Sequence, residues 1–159
     1  YSDIIFGDQN EWEVASGVPH IPFEALDENY EIDKEAYLEY FRKMHKLFPK
    51  CKKMVMAVRN QIASSHHTLS GLLYDSQEDK LYTTRIYDIQ PIIDPMGVGD
   101  AFVAAYIHAH QKWGDENQYC LDFSLSASAI KNTIPGDQNL VSEEEIIHNM
   151  TSSGGRIQR

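Results

Sequence analysis

The stretch Asp94-Pro95-Met96-Gly97-Val98-Gly99-Asp100-Ala101-Phe102 sets a carboxylate and a glycine-rich turn at the point where an apolar-periodic helix begins. A helix start leaves backbone N–H groups without intrahelical partners and carries partial positive charge, so it suits an anion. Glycine lets the backbone come close to such a ligand. A carboxylate in the first helical turn is comfortable in the same field. Together they suit an anionic group whose transfer needs a nearby base. On the residues alone a second reading stays open, in which Gly97 and Gly99 shape a turn and Asp100 stabilises the helix. A dinucleotide loop is excluded, because Phe102 stands where its third glycine is required.

The elements that must position this stretch can be traced along the chain. Residues 3–6 read as a short buried strand, followed by a helix over 9–16 that Gly17 stops. Residues 18–32, with Pro19 and Pro22, read as loop. Asp33 is placed to cap a helix over 34–48. Its Tyr37, Phe41, Met44 and Phe48 recur at helical spacing as a core stripe that Leu38 and Leu47 widen, and Pro49 ends it. Strands are expected over 53–59, 69–74 and 81–87, with a polar connection over 60–67 and a turn over 75–79. Ile92-Ile93 forms an apolar strand before the glycine turn, and a helix runs over 98–113. After the break at Gly114-Asp115 a helix over 116–132 alternates Ser124, Ser126 and Ser128 with apolar residues. Pro135-Gly136 makes a turn, and Ser142 with Glu145 forms a capping box for a last helix through 150. Residues 151–159 read as a polar, mobile tail. Strands interleaved with helices predict a doubly wound α/β sheet with an antiparallel portion near 69–87. Ligands of such sheets bind beyond the carboxyl ends of strands, where the glycine turn falls.

Composition narrows the classes. The chain has 159 residues, 42% apolar and 24% charged, which fits one globular domain with a core. No apolar run approaches the ~20 residues of a membrane span, and no basic-then-apolar leader opens the chain. With 24 acidic against 14 basic residues and a net charge of −10, it is not a protein that coats nucleic acid or anionic membrane through charge. Cys51 and Cys120 lack metal-ligand or disulfide spacing, so reduced thiols and a cytoplasmic location are expected. His66-His67 reads as an exposed pair in a polar loop, and His108 and His110 lie on opposing helix sides, so neither pair predicts a metal site. The opening at Tyr1 with no Met reads as a start inside a longer protein.

The string Asp-x-x-Gly-x-Gly-Asp-Ala-Phe over 94–102 resembles the C-terminal motif of the PfkB (ribokinase-like) carbohydrate kinases, with Val98 where relatives usually have Ala. Asp3 to Glu11 is similar to the family's strand and Asn-x-x-Glu motif, whose two positions fall on Asp8 and Glu11. A literal Asn-x-x-Glu also occurs at Asn10 and Glu13, and a merely solvated acidic helix turn is a further reading. Residues 123–136 resemble the family's helix and Pro-Gly turn beside the adenine, with Leu125 where relatives often have Asn. Around Val58-Arg59-Asn60 the family's glycine turn is absent. The resemblance covers most of 1–148, the C-terminal half of a typical member. It is nearest, over 94–105 and 132–139, to 2-keto-3-deoxygluconate kinases.

The resemblance implies a three-layer αβα ribokinase-like (Rossmann-type) sheet, its C-terminal portion. Residues 1–150 would be the nucleotide-binding, catalytic half. It implies ATP-dependent phosphoryl transfer to a sugar or sugar-acid hydroxyl, 2-keto-3-deoxygluconate favoured. Asp100 would be the base, and Gly97, Val98 and Gly99 the anion hole. Arg59, Asn60 and Leu125 would lie at the nucleotide. Asp8 and Glu11 would hold Mg²⁺ through water, and Asp94 a monovalent cation such as K⁺. Partners would be the sugar and ATP, with no nucleic acid or membrane, and a homo-oligomer is allowed. Sugar-contacting residues would lie mostly in the other half, so these residues alone would be inactive. The alternative is a non-catalytic nucleotide-binding or oligomerisation module.

Overall fold

The computed structural model describes residues 2–21 and 31–152. Part of the expected 18–32 loop and residues 153–159 of the expected tail therefore lie outside the described residues. The elements run β1 (Ile4–Gly7), α1 (Gln9–Ser16), α2 (Lys34–Leu47), β2 (Lys53–Ala63), β3 (His66–Asp75), β4 (Lys80–Thr83), β5 (Tyr87–Ile89), α3 (Val98–Trp113), α4 (Asn117–Lys131) and α5 (Glu143–Thr151). No helix among the described residues is long and apolar enough to cross a membrane.

The strands form one mixed sheet in the order β1-β2-β3-β4, with β5 also on β3. β1 runs parallel to β2, and the other pairings are antiparallel. Alternation along the strands divides two cores. Met54, Met56, Val58, Leu72 and Tyr74 face α1 and α2, where Trp12, Tyr37, Tyr40, Phe41 and Met44 pack. Val55, Leu69, Leu73, Tyr87 and Ile89 face α3, α4 and α5. The expected three-layer αβα arrangement is present. Leu47, expected in the stripe of α2, is instead 51% exposed at the end of that helix, and Tyr40 takes part in the core.

Three local expectations fail for physical reasons. The polar connection expected over 60–67 is the extended end of the β2–β3 hairpin, with Asn60 opposite Thr68 and Gln61 opposite His67. Burial alternates there, Arg59 and Gln61 outward against Asn60 inward, so a strand period was hidden in polar residues. The single strand expected over 81–87 is two strands that follow each other along β3. Between them the Thr84 hydroxyl takes the N–H of Gly71 at 2.8 Å, and Arg85 turns to the carbonyls of Asn149 and Ser152 at the end of α5. Ile92-Ile93 forms no strand; Ile93 is 55% exposed, and the segment is held by Ile92 N–H donating to the Ser65 carbonyl at 3.0 Å.

The histidines of the hairpin are not an exposed pair. His66 Nε2 meets Asp88 at 2.6 Å, and His67 is only 2% exposed with Nε2 unpartnered. Burial, with Arg59 and His66 nearby, pushes the His67 imidazole down to about 4, so it is neutral in the fold. A depressed value in the folded state means stability that is full above the unfolded value of about 6.5 and declines as pH falls toward about 4. Urea unfolding across that window should show a loss of about 3 kcal/mol that His67→Gln removes. Equal pH slopes for the two proteins would contradict the burial of a neutral ring.

Candidate active site

The carboxyl ends of β1 and β5 and the tip of the β2–β3 hairpin lie at one rim of the sheet, as the registers Gly7↔Met56 and His67↔Ile89 require. The glycine turn follows β5 at that rim. Gly97 caps α3 in the left-handed conformation, φ 74°, and makes no side-chain cap. A Cβ there would fall 2.4 Å from the Asp137 carbonyl oxygen, so this position is closed to other residues both by conformation and by space. Gly99 differs. It is helical, and a Cβ would meet nothing within 4 Å. Nothing in the fold demands glycine at 99, and the space beside it is open.

The first intrahelical bond of α3 is Ala101 N–H to the Gly97 carbonyl. The N–H groups of Val98, Gly99 and Asp100 thus precede the helical ladder and point outward at the rim, with the positive end of the helix behind them. Asp100 is exposed in the same turn. Asp100 and these amides thus share the first turn of α3.

Asp94 does something else. Its Oδ1 accepts the Met96 N–H at 3.0 Å and its Oδ2 the Gly136 N–H at 2.8 Å, and these bonds hold its carboxyl below the usual range. The residue expected to hold a monovalent cation thus clamps two loops together.

Asp8 and Glu11 form a capping box on α1: Glu11 N–H donates to Asp8 Oδ1 at 2.9 Å and Asp8 N–H to Glu11 Oε2 at 2.8 Å. Both side chains are exposed at the carboxyl end of β1. No group of three metal-ligating side chains occurs among the described residues. Two carboxylates with one oxygen each committed to the cap fit Mg²⁺ held through its waters rather than directly.

Two nucleotide assignments need correction. Leu125 has no exposed surface and lies in the α3–α4–α5 core, so it is not open to a ligand. Asn60 is 1% exposed, on the inward side of β2. Arg59 is exposed at the rim side of the same strand. The large groove of about 390 Å³ beside Ile5, Phe48 and Cys51 lies at the opposite end of β1 and β2 and plays no part in this site.

What the sequence did not announce is how the turn is held. Ser128 Oγ donates to the Val98 carbonyl at 3.0 Å, and Ser124 Oγ to the Phe102 carbonyl at 2.6 Å. These buried serines fix the first turn of α3 against α4. The alternation of Ser with apolar residues was the visible signal, but its partners were not.

No family model matches the chain, and no curated protein matches it in sequence. Solved structures do match. The 2-dehydro-3-deoxygluconokinase of Thermotoga maritima is 23% identical with a TM-score of 0.79, over 94% of this chain and 41% of its own. A PfkB family carbohydrate kinase from Listeria grayi is 25% identical with a TM-score of 0.74, over 94% and 41%. The Arabidopsis thaliana ribokinase, solved with ribose and ATP, is 21% identical with a TM-score of 0.67, over 95% and 41%.

The two glycines should separate on substitution. Gly97→Ala is expected to lower unfolding free energy by about 2 kcal/mol or more. Gly99→Ala should leave it unchanged or raise it by up to about 1 kcal/mol. Similar losses at both positions, read by urea titration, would refute the distinction. The chain has the ribokinase-like α/β fold of PfkB family carbohydrate kinases and spans 41% of the length of each of these three kinases.

Proposed function

We propose that the chain carries the phosphoryl-transfer site of an ATP-dependent carbohydrate kinase. The acceptor is a hydroxyl of a sugar or sugar acid, with 2-keto-3-deoxygluconate favoured. The observation that carries this reading is an exposed carboxylate, Asp100, in one turn with uncommitted amides and a glycine whose Cβ space is empty. The likeness to a 2-dehydro-3-deoxygluconokinase supports the choice of acceptor. Two free, buried cysteines are in keeping with a cytoplasmic setting.

In the reaction, the amides of Gly97, Val98 and Gly99 meet charge on the transferring group. Such preorganised donors are worth ~3–4 kcal/mol each when lost. Asp100 orients the acceptor hydroxyl and takes its proton. The transition state of phosphoryl transfer is loose, so the base is asked for little until late, and a carboxylate suffices. Arg59, exposed on the rim side of β2, adds positive charge toward the phosphates. Asp8 and Glu11 would hold Mg²⁺ through its waters, and that ion supplies neutralisation of the β- and γ-phosphate charge.

Asp100→Asn in the complete enzyme should cut kcat at least ~100-fold. Near-normal turnover by this variant would remove Asp100 from the mechanism. Phosphorylation of 2-keto-3-deoxygluconate is expected from the complete reading frame and not from these residues alone. Activity in neither, with nucleotide still bound, would leave a non-catalytic binding module.

A further inference from the structure

The path β1-β2-β3-β4 leaves β1 and β4 outermost, and only β4 is guarded. Lys80 of β4 sets its Nζ 4.3 Å above the Tyr82 ring, and the Thr83 carbonyl accepts the Gln118 side-chain amide at 3.0 Å. A charge and a covering side chain keep an outer strand from pairing again. β1 has neither: it is three apolar residues and a glycine, without a charge or a proline. Its register fixes which backbone groups are left over. Lys53 N–H donates to the Asp3 carbonyl at 3.0 Å, and Ile4 is the partner of Lys53 in a parallel pair. In such a pair Lys53 bonds the residues on either side of Ile4. The N–H and C=O of Ile4, and likewise those of Phe6, therefore point away from β2. No described residue meets these four groups.

The side chains of β1 are those of an inner strand. Ile5 packs on the α1–α2 core, and Ile4 and Phe6 pack on the α3–α4–α5 core, with Phe6 edge-on to Tyr106 at 5.3 Å. An apolar run without alternation, under helices on both faces, is the pattern of a strand with neighbours on both sides. All four residues of β1 are nevertheless only half-buried. Next to β1 the groove of about 390 Å³ is lined by Ile5, Phe48, Cys51 and Leu47, the last of them 51% exposed. The match spans 41% of the Thermotoga and Listeria kinases, so more of their fold lies outside it than within it. We propose that β1 is an inner strand of the complete protein. A further strand, apolar on both faces and supplied by the rest of the polypeptide, pairs with Ile4 and Phe6. The chain beside that strand fills the groove at Ile5 and Phe48. This rests on the sheet and the fold, and not on the kinase reading.

Amide hydrogen exchange in the complete protein is the test. The N–H groups of Ile4 and Phe6 should exchange as slowly as those of Ile5 and Gly7, which bond β2. A pair of variants adds a second reading. Phe6→Ala and Phe6→Pro both lose the Tyr106 contact, but only proline removes an outward N–H. A strand with a free edge tolerates such a proline, and a paired one does not. The proline variant should therefore melt about 5 °C or more below the alanine variant. Alternating exchange, slow at Ile5 and Gly7 and fast at Ile4 and Phe6, overturns the proposal even if the proline variant does not fold. Equal Tm values for the two variants overturn it too. Protection at Ile4 and Phe6 that is lost on dilution from dimer to monomer gives the edge to a second copy, and overturns it as well. None of these readings uses ATP, so a failed kinase assay and a failed exchange pattern remain distinguishable.

Discussion

The two hydrogen bonds accepted by Asp94 are the constraint from which the rim takes its shape. One carboxylate oxygen closes the turn at Met96 and the other reaches Gly136 across the chain. Beside these bonds, the segment after β5 is held by Ile92 N–H on the Ser65 carbonyl and by the N–H groups of Ile93 and Asp94 on the Asn132 carbonyl. A carboxylate that accepts backbone N–H groups on both oxygens is a rigid bracket, because each bond is charge-assisted and directional. The glycine turn inherits its position from that bracket. Gly97 then brings the chain against Asp137, a contact that any side chain would prevent.

Behind the bracket stands α4, which is buried along most of its length. A helix in such surroundings has little polar surface to spare, and its serines are each spent on a neighbour's carbonyl: Phe102 and Val98 in α3, Ile146 in α5. Small residues let α3 and α4 approach closely, and the hydroxyls then fix their relative translation. The apolar core supplies the driving force, while these bonds set the register. That division explains how a mobile-looking glycine segment can stand at one place on the sheet rim.

Much of this was legible in the sequence. Helix α1 declared itself through its Gly17 stop, and α2 and α5 through the N-cap at Asp33 and the capping box at Ser142, because a cap is a local event. The glycine turn was legible for the same reason. The hairpin tip was not, since Asn60 to His67 is polar at nearly every position and its strand period shows only in which residues are covered. Nor could the roles of Asp94 and Ser128 be read, because each acts on a partner distant in sequence. Leu125 misled for a related reason: a position by resemblance says nothing of which way a helix face points.

Gly99 has one more implication. A designer seeking only a more robust α3 would put alanine there, since the backbone is already helical and the space is vacant. The natural chain forgoes that gain at a spot where, on the proposed kinase reading, an incoming phosphate would need the room. Working surfaces can be sought in this way, as places where a fold is less sturdy than its own geometry permits.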